Sequence, residues 1–113
     1  MDSQIELNRE RQRLVDKFAE RLPDTRANVV SQGNVAFADG AVPGRIKRLM
    51  GLAMALHAGC TNCILGRTTQ ALDEGATTEE VLETISVAVT MGGTLAMAES
   101  LRVLRLLEEM GRL

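Results

Sequence analysis

Apolar positions recur at helical spacing along most of the chain. Ile5, Leu14, Val15, Phe18 and Leu22 mark one stripe of a helix over residues 3–21, which Pro23 ends. Arg9, Arg11, Arg13, Lys17 and Arg21 alternate there with Glu6, Glu10, Asp16 and Glu20. These charges cancel, so the helix reads as solvated or intersubunit rather than as a nucleic-acid face. Asp24 or Thr25 is a candidate cap for a second helix reaching about Ala38 and carrying Val29, Val30, Val35 and Phe37, with Gly33-Asn34 weakening it. Asp39-Gly40 is a turn signal, and Pro43 suits the first turn of a third helix. Ile46, Leu49, Met50, Ala53, Met54 and Leu56 follow at helical spacing.

Gly59 separates this helix from a fourth, which Cys60 opens and which runs through Ile64, Leu65 and Leu72 to about Glu74, with Gly75 as its stop. Thr77 and Glu80 have capping-box spacing ahead of Val81, Leu82, Ile85, Ala88 and Val89. Gly92-Gly93 either breaks the pattern or lets two backbones approach closely. A last helix over about Thr94 to Met110 is apolar on more than one side, through Leu95, Met97, Leu101, Val103, Leu104, Leu106 and Leu107. So apolar a helix in so small a domain implies cover by another subunit. The expectation is an all-α fold of about six helices, one domain over 1–113 with 1–22 as its N-terminal helix, assembled as an oligomer.

Composition supports helices over sheets. The 113 residues are 45% hydrophobic but only 2% aromatic, with no Trp or Tyr, so Ala, Leu, Val, Ile and six Met must build the core. Scarce aromatics also argue against base-stacking platforms, and a net charge of −2 gives no general attraction to nucleic acid or to an anionic membrane. Met1-Asp2-Ser3-Gln4 does not begin a signal peptide, and the most apolar run, Leu49 to Leu56, falls far short of the roughly 20 residues that cross a bilayer. A cytoplasmic location is the resulting expectation, with no membrane and no nucleic acid among the partners.

The chemistry concentrates in residues 56–67, which hold both cysteines and the only histidine. Cys60 and Cys63 stand at i and i+3, one face of a helix, where two thiols can close a disulfide or share a metal. His57 lies three residues before Cys60 and Arg67 four after Cys63; in an unbroken helix all four would point broadly one way. Residues 43–72 carry Arg45, Lys47, Arg48 and Arg67 and no acid, whereas residues 73–113 carry eight acids and three bases. That segment is either a solvated basic face or a local field favouring thiolate. Two small buried hydrophobes are the plain alternative for the cysteines. Structural zinc needs four protein ligands, and Cys60, Cys63 and His57 supply three, so no metal and no cofactor is assigned. His57 is either a structural residue or a base beside the thiols, and Arg67 either an ion-pair partner or a thiolate stabiliser.

The order of parts resembles the carboxymuconolactone decarboxylase family in its AhpD-like (alkylhydroperoxidase D) branch. The resemblance covers about residues 33–107. It rests on Phe37-Ala38-Asp39-Gly40, on Ile46 to Ala53, on Gly59-Cys60-Thr61-Asn62-Cys63-Ile64, on Ala71 to Thr77, on Glu80-Val81-Leu82-Glu83 and on Met91-Gly92-Gly93. It implies an all-α fold assembled as a homo-trimer or homo-hexamer. It also implies a cysteine pair that reduces peroxides, with Cys63 attacking and Cys60 resolving, re-reduced through a thiol relay. Two positions depart from the family pattern. The usual histidine four residues after the second cysteine is Arg67, and the usual glutamate twelve before the first is Arg48. An arginine cannot exchange protons at neutral pH, which leaves His57 as the candidate replacement for that relay.

The expected function is therefore that of a thiol-dependent oxidoreductase acting on a small hydroperoxide or disulfide and recycled by an external dithiol. The candidate residues are Cys63, Cys60, His57 and Arg67. The alternatives are a lyase like the family's namesake, which has no need of two thiols, and a non-catalytic helical oligomer serving as a redox sensor or binding module.

Overall fold

A computed structural model describes residues 1–113 as five helices and no strand: α1 (Gln4–Arg21), α2 (Pro23–Ala36), α3 (Gly44–Ala58), α4 (Thr61–Asp73) and α5 (Thr78–Glu109). Gly93, at φ 66° and ψ −145°, interrupts α5, so its two arms counted apart give the six helices expected. Glycine is required there because side chains avoid that backbone region.

The caps explain the boundaries. Thr77 and Glu80 close the capping box, each side chain accepting from the other's backbone N–H. Gly59, at φ 69° and ψ 30°, is the left-handed C-cap of α3. Pro23 both ends α1 and starts α2. The cap of α2 is Leu22, without a side-chain hydrogen bond; Asp24 and Thr25 lie inside its first turn, and the helix stops at Ala36. Pro43 stands one residue before α3 as its N-cap, rather than within its first turn.

Three elements make the core. α3 packs against α4 and α5, enclosing Leu52, Leu56, Ile64, Val81, Val103 and Leu107 completely. The α1–α2 hairpin lies outside that core. The only buried residue of α1 is Gln4, α2 has none, and the expected stripe residues Leu14, Phe18 and Leu22 are exposed. Glu109, at the end of α5, secures the start of α1 instead. It accepts from Ser3 Oγ at 2.6 Å and from the Gln4 N–H at 2.7 Å. These bonds hold the Glu109 carboxyl below its usual range, the Ser3 bond contributing most.

α5 is long and apolar enough to cross a membrane by length and composition. It also carries much of the core, while Val87, Met91, Leu95, Met97 and Leu101 face outward.

Candidate active site

α4 begins at the cysteines because Gly59 turns the chain. The Cys60 N–H still donates to Ala55 O at 3.0 Å, and Cys60 O accepts the first bond of the new helix, from Ile64. Cys60 is thus the N-cap and Cys63 the third helical residue. They are joined by a disulfide, with Cα atoms 5.2 Å apart. No side-chain cap serves this terminus. In the reduced protein its first-turn N–H groups and dipole favour a thiolate. Thr61 Oγ1 donates to Glu99 Oε2 at 3.0 Å, which pins the turn to the second arm of α5.

Cys63 is exposed and Cys60 half-buried. Cys63 lines a cavity of about 740 Å³ between the α1–α2 hairpin and α4, which Arg67 and Gln70 also line. Arg67 Nη1 donates to Gln70 Oε1 at 3.1 Å, and Arg48 Nη1 reaches the same oxygen at 3.4 Å. Both guanidinium groups stack on Phe37, at 4.2 Å from the ring centroid for Arg48 and 5.0 Å for Arg67. Burial, and then the nearby Arg48 charge, lowers the Arg67 pKa. The two positions that the family usually gives to glutamate and histidine are therefore neighbours here as well. They hold fixed positive charges in place of a proton relay.

The cationic segment of the sequence divides on folding. Arg45 pairs with Glu80, and Arg48 with Glu74 at 3.0 Å. Arg67 has no acidic partner. The ion-pair reading of Arg67 thus gives way to a charge held by an amide and an aromatic face, one turn beyond Cys63.

The helix break also separates His57 from Arg67. His57 is exposed in the last turn of α3, beside Gly92, where an added Cβ would come within 3.1 Å of its Cδ2. It does not line the cavity that Cys63 opens into. This contact gives Gly92 its packing role.

Sequence reasoning missed Gln70, Phe37, Glu99, Arg11 and Arg26. Gln70 had a usable signal, since it stands at i+3 from Arg67 and on the same helical face. Arg11 and Arg26 had none, because only the tertiary placement of the hairpin brings them to the cavity.

A sequence model described as the carboxymuconolactone decarboxylase family matches residues 23–106. An uncharacterized protein of Cupriavidus necator is 40% identical over 58 residues, and the match spans 51% of each chain. Uncharacterized protein 4 of the cox locus of Paracoccus denitrificans is 41% identical over 75 residues, covering 66% of this chain and 68% of that one. The chain thus spans about half the length of the Cupriavidus relative. Among solved structures, a carboxymuconolactone decarboxylase family protein from Legionella pneumophila superposes with a TM-score of 0.87 at 28% identity, covering 96% of this chain and 97% of that one. A Thermotoga maritima protein superposes with a TM-score of 0.79 at 25% identity, covering 98% and 95%.

Proposed function

The chain belongs to the carboxymuconolactone decarboxylase family, and from that premise we propose that it is a thiol-dependent oxidoreductase of the AhpD-like type. The observation carrying this reading is the Cys60–Cys63 pair at the uncapped start of α4, with Cys63 opening into the cavity beside Arg67.

The Cys63 thiolate attacks the terminal oxygen of a hydroperoxide. The O–O bond breaks, the sulfur becomes a sulfenic acid, and the leaving alkoxide takes a proton from solvent to depart as alcohol. The Cys60 thiol then displaces the sulfenic hydroxyl, which leaves as water, and the disulfide closes. An external dithiol returns both cysteines to thiols and is itself oxidised to a disulfide. Arg67 favours the thiolate by its fixed charge. His57 stands outside the cavity, three residues before Cys60, so its proposed part is to take the proton of the resolving Cys60 thiol. Its exposure keeps it in exchange with solvent.

The test is turnover. Peroxide consumption with a dithiol reductant should persist over many cycles in the unsubstituted protein and vanish in Cys63→Ser. In Cys60→Ser, one equivalent of peroxide added without reductant should leave a sulfenic acid on Cys63 in place of the disulfide. His57→Ala should slow disulfide closure at neutral pH; an unchanged rate would make His57 structural. The arginines at the usual relay positions favour a second reading, a redox sensor that oxidises once without cycling. Consumption of a single equivalent by the unsubstituted protein, with reductant present, would select it.

A further inference from the structure

The cavity beside Cys63 carries two features that thiol chemistry alone does not require. One is an excess of unpaired positive charge. Arg11, Arg26, Arg48 and Arg67 all line it, against Glu10 as its one acid. Glu10 is already bonded to Arg13 on the outer face of α1, at 2.6 and 2.9 Å. Arg48 is paired with Glu74, so Arg11, Arg26 and Arg67 remain with no carboxylate partner. Arg11 reaches over the backbone of Gly66, where an added Cβ would lie 3.0 Å from its Cζ. Burial, then the charges of Arg26 and Arg67, lowers the Arg11 pKa. Mutual repulsion of this kind costs free energy that a bound anion would recover.

The other feature is apolar. Leu14, Phe18, Val29 and Val30 line the side of the cavity furnished by the α1–α2 hairpin, and all four are exposed. In the folded chain they form one wall of a polar-and-apolar pocket.

We infer that this cavity binds an amphipathic organic anion. Its oxyanion head, a carboxylate or a phosphate ester, lies among Arg11, Arg26 and Arg67, and its apolar body lies on Leu14, Phe18 and Val30. The guanidinium fork matches such heads with paired N–H donors. On the thiol-redox reading the occupant is the substrate, an anionic organic hydroperoxide or disulfide whose reactive group is delivered to Cys63.

Binding is measured by calorimetry on the full chain with both cysteines replaced by serine, so that the result does not depend on redox activity. The probes are octanoate, octyl phosphate, octanol and inorganic phosphate. Octanoate or octyl phosphate should bind about tenfold or more tightly than octanol and than inorganic phosphate, and the tighter of the two identifies the head. Arg11→Gln and Arg26→Gln should each weaken that binding about tenfold. Arg9→Gln, on the exposed face of α1, should leave it unchanged. Added salt should weaken the anions and spare octanol. Equal binding of octanoate and octanol, equal binding of inorganic phosphate, no binding of any probe, or indifference to both cavity arginines would overturn the inference. Peroxide turnover in the unsubstituted protein is read separately, so a failed oxidoreductase with a working anion site is distinguishable from the reverse.

Discussion

Arg48 and Arg67 share one acceptor, the Oε1 of Gln70, and one aromatic ring, that of Phe37. Arg48 has Glu74 as well, whereas Arg67 has no acid and stands one turn beyond Cys63. Arg67 is therefore the free charge of the pair. In Arg67→Ala, alkylation of the reduced protein by a neutral reagent at pH 7 should slow by about threefold or more, with the midpoint of its pH profile displaced upward. A profile identical to that of the unsubstituted protein would leave thiol activation to the start of α4 alone.

The break in α5 depends on Gly93. Its φ of 66° with ψ of −145° is a conformation essentially reserved for glycine, and no atom stands within 4 Å of an added Cβ. Gly93→Ala thus tests backbone strain without a clash. It should destabilise the fold by about 1–3 kcal/mol in urea denaturation. A smaller loss would mean that α5 relaxes into a continuous helix.

Glu109 links the C-terminal end of α5 to the start of α1, and its folded pKa is depressed below the ordinary value of 4.5. A depressed carboxylate contributes stability that is fully present above its unfolded pKa and is lost as pH falls through the folded one. The unsubstituted protein should therefore exceed Glu109→Gln in urea midpoint at pH 7, and the gap should close as pH drops below 4.5. A gap independent of pH would show that the charge of Glu109 does not matter to the docking of α1.

Met91 is 74% exposed on α5 and Met54 72% on α3. Apolar side chains so exposed on the two main core helices support the proposal of a homo-trimer or homo-hexamer. Met91→Glu would place a charge in such an interface and should shift the assembly toward the 12.2 kDa chain in light scattering. A monomer before substitution would refute the proposal.

The elements were legible where local chemistry fixes them. The Thr77–Glu80 box, the turn at Gly59, the stop at Gly75 and the break at Gly92-Gly93 each act within a few residues of themselves. The cysteine pair and its place at the start of α4 were legible for the same reason. The hairpin was harder to read. α2 has little amphipathic pattern, and its valines are left on the surface. The charges of α1 balance in the sequence, yet in space Arg11 bonds the Asn8 side chain at 2.9 Å and turns toward α4. The arginine lining of the cavity arises from residues 11, 26, 48 and 67, brought together by packing that local pattern does not encode. The turn at Gly59 was itself legible, and it takes His57 out of line with Arg67 and away from the cavity.

The central claim is that Cys60 and Cys63 are a reversible redox pair, and intact mass spectrometry tests it most directly. The fully reduced protein is treated with mild peroxide and alkylated, with and without a subsequent dithiol. After peroxide the mass should fall by about 2 Da, with no alkyl adduct; the dithiol should restore two alkylatable thiols. Two adducts on the peroxide-treated protein, with no change in its mass before alkylation, would contradict the account.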